Sequence, residues 1–148
     1  MTYVWDTNIL LLILRDDSFF DKLNEKYDFS NTLNKSLISA VTVGEIRSLA
    51  FRNRWGEKRV KKLNYFLSIL KTVPVTDEEK LIAMYCEIDA YSQNQHPSLK
   101  LPISARNMGK NDLWIAATTA VRNATLISTD ADFDHLDGLF LYFEKIIV

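Results

Sequence analysis

The chain is poor in the residues that usually announce a chemistry. Its one cysteine, Cys86, leaves no partner for an internal disulfide and no cysteine-rich zinc site. That usage agrees with a reducing compartment, and the cytoplasm is the expected location. The two histidines, His96 and His135, lack a His-x-x-x-His or Glu-x-x-His companion, so both are read as surface or packing residues and zinc is not expected. Only four glycines occur, and none belongs to a Gly-x-x-x-x-Gly-Lys, Gly-x-Gly-x-x-Gly or Gly-x-Ser-x-Gly motif, which removes the nucleotide-binding and hydrolase readings those motifs carry. Charge of one sign is lacking too: 18 Lys plus Arg stand against 19 Asp plus Glu, so composition does not announce a polyanion binder. The longest wholly apolar run, Ile9 to Leu14, has six residues and is closed by Arg15, Asp16 and Asp17, too short for a signal peptide or a membrane span.

At 148 residues the chain fits one domain, expected to span 1–148, with a full core. The most informative stretch runs from Asn111 to Asp132. Leu113, Ala116, Ala117, Ala120 and Ala124 recur at helical spacing, and Thr125 to Ser128 is a β-rich run. About ten helical residues carry the chain ~15 Å one way and the following strand carries it back a similar distance. Asp130 therefore returns to the level of Asp112.

The rest alternates in the same way. Tyr3 to Trp5 predicts a strand ending at Asp6, with Ile9 to Leu14 as a buried helix. Ser18 to Tyr27 predicts a surface helix, and Leu37 to Val41 a second buried strand. Thr42-Val43-Gly44-Glu45 has the form of a capping box opening a helix, and Glu57 to Leu70 predicts another helix with a basic outer face. Thr72 to Val75 reads as a strand whose Pro74 favours a sheet edge, and Thr76 to Glu79 as a second capping box opening a helix to about Tyr91. Periodicity stops from Ser92 to Lys110, a length at which loops are often functional. Asp132 to Gly138 predicts a polar turn or short helix and Leu139 to Phe143 a final strand. Strands alternating with helices predict an α/β domain, with a mainly parallel central sheet flanked by helices.

Asp6, Glu45, Asp112 and Asp130 each fall where a strand ends or a helix begins. Each alone could simply cap a helix or turn, because carboxylates at helix N-termini satisfy free N–H groups. Their convergence is what a set of independent caps does not explain, since clustered carboxylates raise each other's pKa unless positive charge sits between them. Mg²⁺ or Mn²⁺ solves that problem with carboxylate and water oxygens. Asp132 and Asp134 add charge on the same turn.

Asp6-Thr7-Asn8, Thr42 to Glu45, Gly109-Lys110-Asn111-Asp112-Leu113-Trp114-Ile115-Ala116-Ala117 and Leu126 to Phe133 together resemble a PIN domain, more closely the VapC-type ribonuclease toxins of toxin–antitoxin pairs. The resemblance spans nearly the whole chain in order. It implies that Asp6, Glu45, Asp112 and Asp130 bind one or two Mg²⁺ or Mn²⁺ ions, that Asp132 is auxiliary, and that Thr7, Asn8 and Ser128 or Thr129 support the site. It further implies RNA cleavage to a 5′-phosphate and a 3′-hydroxyl, a cognate antitoxin and a toxin homodimer. Two departures stand out: Ser128 where many relatives carry Thr, and a longer segment from Gln93 to Met108.

An RNA strand also requires positive charge. The densest basic region, Arg47, Arg52, Arg54, Lys58, Arg59, Lys61 and Lys62, is in general more often a solvated helix face, although Trp55 could offer a stacking surface. Arg106 and Lys110, next to Asp112, are better placed for phosphate. The competing reading is a PIN-like module that binds RNA or protein without cutting. A phospho-accepting receiver domain would need an acceptor Asp on the middle strand and a Lys after the last strands, and neither position is evident.

Overall fold

Strands β1 (Thr2–Trp5), β2 (Lys35–Ser39) and β4 (Thr125–Ser128) lie side by side at the centre, Trp5 opposite Ile38 on one flank and Ile127 on the other. The computed structural model describes residues 1–148. Strand β3 (Lys71–Val73) pairs outside β2, and β5 (Tyr142–Lys145) outside β4, giving the order β3-β2-β1-β4-β5 with every pairing parallel. Parallel neighbours cannot be joined by tight turns, so each connection crosses over through helices or turns. Helices α1 (Thr7–Arg15) and α2 (Asp17–Tyr27) join β1 to β2, while α3 (Ala40–Arg52) and α4 (Glu57–Ile69) join β2 to β3. Helices α5 (Glu79–Ser92) and α6 (Lys110–Val121) lead to β4, and a 3₁₀ turn (Ala131–Leu136) leads towards β5.

Successive strand residues point to opposite faces, and the central strands use this to serve two cores. Val4, Leu37 and Leu126 pack with Ile88 of α5 and Ile115, Ala116 and Ala117 of α6. Their neighbours Trp5, Ile38 and Ile127 pack with Ile9, Leu10 and Ile13 of α1, Leu23 of α2 and Leu63 and Phe66 of α4. Burial on both faces explains why these strands read as continuous apolar runs. The alanines of α6 are buried as their spacing predicts, and their small size lets that helix lie close to its neighbours.

Four boundaries differ from expectation. Strand β2 stops at Ser39, whose hydroxyl accepts the Val41 N–H at 3.1 Å, so α3 starts before Thr42 and the capping box there does not form. Thr42 and Glu45 keep their spacing inside the helix, where it places both on one side. At α5 the second capping box also fails: Thr76 Oγ1 accepts only the Glu78 N–H, at 3.3 Å, and the helix begins at Glu79 without a side-chain cap. The last strand is displaced to Tyr142–Lys145, because the Phe140 and Leu141 N–H groups turn back onto Leu136 O and Gly138, at φ 74°, closes a turn by donating to Leu141 O. Strand β3 lies at the sheet edge, as Pro74 suggested, but it spans Lys71–Val73 rather than Thr72–Val75, so Pro74, which has no N–H to donate, falls just beyond it.

The close seating of α6 predicts that Ala116→Leu, which forces a larger side chain into a fully buried site, destabilises the fold by about 1–3 kcal/mol. Urea unfolding should show a lower midpoint with an unchanged slope.

Candidate metal centre

Because every strand runs the same way, residues just past their C-terminal ends share one edge of the sheet, where open α/β sheets bind ligands. Asp6 follows β1 directly, and its own N–H donates to Ile127 O at 3.1 Å, holding it against β4. It caps α1: Oδ1 accepts the Thr7 N–H at 2.8 Å. Its other oxygen, Oδ2, accepts the Ser128 hydroxyl at 2.6 Å, and that hydroxyl oxygen in turn accepts the Asp130 N–H at 3.0 Å. One serine thus ties the ends of β1 and β4 to each other. Asp130 uses Oδ1 to accept the Asp132 N–H at 2.9 Å, capping the 3₁₀ turn, and its Oδ2 has no partner within the chain. Capping is therefore real at Asp6 and Asp130, but it does not exhaust either carboxylate.

Asp112 lies in the first turn of α6, and its carboxylate accepts no hydrogen bond from the chain. Asp112, Asp130 and Asp132 each offer an oxygen within 4.8 Å of the others. Burial pushes the Asp112 carboxyl up to about 7, and the negative charges of Asp6, Asp130, Glu45 and Asp132 add to the rise. Asp6 is also raised, first by burial, partly offset by its bonds from Ser128 and Thr7, then raised further by Glu45 and Asp130. The four principal acids thus act on one another, while the tightest grouping is Asp112, Asp130 and Asp132.

Glu45 reaches the same edge from α3. Its Oε1 lies 3.2 Å from Thr7 Oγ1, which is 3.1 Å from Thr42 Oγ1. A hydroxyl has one proton, and the carboxylate is the stronger acceptor, so Thr7 donates to Glu45 and accepts from Thr42. Thr7 and Thr42 are buried, and the pair fixes Glu45 relative to the start of α1. The role of Thr42 was not visible in the sequence, because its spacing to Glu45 also fits a cap.

The remaining candidates divide. Thr7 and Ser128 hold acids in place, whereas Asn8 and Thr129 are half-buried and their side chains make no hydrogen bond within the chain. Arg106 donates from Nη1 to Ala131 O at 2.9 Å and lies 3.7 Å from Asp132 Oδ1, tethering the long loop to the acidic turn. Lys110 is exposed at the start of α6 and forms no ion pair. Asp134 pairs with Lys145 at 2.8 Å and is held by β5. In the basic region, Lys61 pairs with Glu57, Lys62 with Asp17, and the Arg59 guanidinium lies 3.8 Å from the Trp55 ring centre, so these groups are engaged on the protein surface. His96 accepts the Ser98 and Leu99 N–H groups, and His135 bonds Ser92 at 2.7 Å while stacking on Tyr91. Both histidines make hydrogen bonds within the chain away from the four principal acids.

The donor set at this edge is all oxygen and carries more negative charge than Arg106 offsets. That combination fits a hard divalent cation, with Asp112, Asp130 and Asp132 as its nearest set and Asp6 and Glu45 beside it.

The fold and this acidic edge define the class: the PIN domain profile matches residues 3–139, and the chain belongs to the PIN domain family. Its structural neighbours include VapBC complexes, one of them described as belonging to the VapBC family of toxin–antitoxin systems. The chain is similar to VapBC2 from Rickettsia felis, solved bound to a DNA fragment from their promoter, at 24% identity and a TM-score of 0.77 over 98% of each chain. It is similar to VapBC-1 from nontypeable Haemophilus influenzae at 20% identity and 0.73 over 98% of each chain. A third likeness is to VapBC-5 from Mycobacterium tuberculosis, at 23% identity and 0.66, again over 98% of each chain. At these identities the likeness is one of fold. No curated protein sequence matches the chain significantly.

The raised Asp112 pKa has a definite sign. Between its ordinary 3.8 and about 7 the folded chain holds a proton that the unfolded chain has lost, so this group reduces stability as pH rises through that window. Asp112→Asn is expected to melt higher than the parent at pH 8, with the difference vanishing near pH 4. Mg²⁺ or Mn²⁺ should raise the parent's Tm at pH 8 and leave that of Asp112→Asn nearly unchanged, as read by scanning calorimetry.

Proposed function

We propose that the chain is a metal-dependent endoribonuclease acting as the toxin of a type II toxin–antitoxin pair in the cytoplasm, with residues 1–148 as the nuclease unit. The observation that carries this reading is the meeting of Asp112, Asp130 and Asp132 within 4.8 Å beside Asp6 and Glu45. Asp6, Asp112 and Asp130 would hold Mg²⁺ or Mn²⁺, with Asp132 as an auxiliary ligand. Such a cation, when bound, supplies the Lewis-acid charge that phosphodiester hydrolysis needs.

The chain's own groups have separate tasks. Ser128 fixes the Asp6 carboxylate, and Thr7 with Thr42 fixes Glu45, whose free Oε2 is left to orient an attacking water. The partly buried setting of Asp112 lowers the local dielectric and strengthens its attraction for a cation. Lys110, exposed and unpaired beside the acids, is the cation assigned to substrate phosphate. Arg106 keeps a positive charge near Asp132 while anchoring the loop before α6. Asn8 and Thr129 complete the rim as polar support.

An antitoxin that covers the acidic edge, and a homodimer of the toxin, belong to the same proposal. The likeness to VapBC structures, one of them described as a member of the VapBC family of toxin–antitoxin systems, supports an antitoxin partner.

Mixed cellular RNA incubated with Mg²⁺ or Mn²⁺ should be cut to fragments bearing 5′-phosphates, and a chelator should stop the reaction. Asp6→Asn and Asp112→Asn should abolish cutting in folded protein. Ser128→Ala, which loses only the support of a ligand, should reduce it by about 10–100-fold. Full activity in both aspartate variants would reject the assignment, and RNA binding without metal or cleavage would favour a non-cutting module.

A further inference from the structure

The sheet has a second edge, and its charge is of the opposite sign. In a parallel sheet the beginnings of the strands lie together, here at the end remote from Asp6, Ser128 and Asp130. Lys35 opens β2 and Lys71 opens β3, and Lys71 is in register with Leu37, so both lysines stand on the face that carries α6. Arg122 caps the C-terminal end of α6. These three cations, with Thr2, Asn34 and Glu78, line a groove of about 710 Å³. Asp112 and Arg122 stand at opposite ends of α6, ~15 Å apart along its axis, so the groove and the acidic edge are separate places.

The basic character of this groove is not used within the chain. All three cations are exposed and none forms an ion pair, whereas Lys26, Lys61, Lys62 and Lys145 are each paired with an acid. Glu78 is the one acid in the lining. Arg122 also suits the negative end of the α6 dipole, and a lysine on an edge strand discourages pairing with another sheet, which accounts for Lys71. Neither reason reaches Lys35, because β2 is paired on both sides. Three of the ten lining residues are hydrophobic, too few for the apolar centre of a protein interface.

We infer that this groove is a second contact for RNA phosphates, holding a part of the substrate that lies away from the bond being cut. The assignment rests on the nuclease reading and deepens it. A polyanion is repelled by the acidic edge until cations fill it, and the chain as a whole carries no excess of positive charge. Beside the acids, Lys110 is the one unpaired cation assigned to phosphate. The groove at the far edge supplies the attraction that the cutting edge lacks, with Lys35, Lys71 and Arg122 each neutralising a phosphate. Because the length of α6 separates the two contacts, only an RNA that passes from one edge of the sheet to the other uses both.

The binding test uses the full chain carrying Asp112→Asn, so that RNA survives, and reads the anisotropy of a labelled RNA of about 30 nucleotides, which at ~3.4 Å per nucleotide outreaches the length of α6. Lys35→Gln, Lys71→Gln and Arg122→Gln combined should weaken binding by about 10–100-fold at about 0.1 M salt and lower the slope of log affinity against log salt by about two to three. The loss should add to that of Lys110→Gln, as for contacts that do not touch. All three positions are exposed, so the variant should melt with its parent by circular dichroism. In the active chain the same triple change should raise KM for this RNA and leave kcat within about twofold. Unchanged affinity and salt slope in the triple variant, or a parent that binds no RNA, would overturn the groove. So would a poly-glutamate peptide that binds the parent but not the triple variant while RNA binds both alike, which would mark the acidic segment of a protein partner. A parent that cuts RNA with KM unmoved by the triple change removes the groove alone. A parent that binds RNA through the groove and cuts nothing removes the nuclease alone.

Discussion

The carboxylates at the C-terminal edge of the sheet repel one another, and the fold nevertheless keeps them together. Asp6 is one peptide bond from Trp5, which is buried at the centre of the sheet, and Asp130 follows β4 after a single intervening residue. Moving either acid away would mean disturbing strands packed on both faces. Burial and like charge then act in the same direction on Asp112, which is why its carboxyl is pushed up to about 7. The apolar layers on either side of the sheet stabilise an arrangement that the acids alone would disperse.

Orientation at this edge is set mostly by neutral hydroxyls. Ser128 bridges Asp6 and the Asp130 backbone, and Thr7 links Thr42 to Glu45. A lysine or arginine in those positions would fix the acids equally well but would cancel the charge. Serine and threonine hold the geometry and leave the negative potential for a cation. The one guanidinium close by, Arg106, spends its hydrogen bond on Ala131 O and lies 3.7 Å from the exposed Asp132. It braces the outer side of the cluster.

Much of this arrangement is legible in the sequence. The strand at Tyr3 to Trp5, the alanine face of α6 and the return through Thr125 to Ser128 are governed by local pattern, and each appears where its spacing places it. The meeting of Asp112 with Asp130 followed from simple lengths of helix and strand. What local pattern could not decide was partnership. Thr42 and Glu45 have the spacing of a cap and also of two residues on one helix side, and only the position of Thr7, far off in sequence, separates the two. The start of α3 was missed because Ser39 caps it from within an apolar run. The shift of β5 depends on Gly138 adopting a positive φ, a choice sequence permits but does not announce. The tether of Arg106 to Ala131 O has no sequence signature, because its acceptor is a backbone atom.

Carboxyl-resolved NMR titration of Asp112, with and without Mg²⁺, tests the account most directly. A midpoint near 7 in the metal-free chain, falling by several units when Mg²⁺ is added, is the predicted result. A midpoint close to 3.8 that Mg²⁺ leaves in place would show an acid neither crowded by its neighbours nor bound to a shared ion, and would contradict the account.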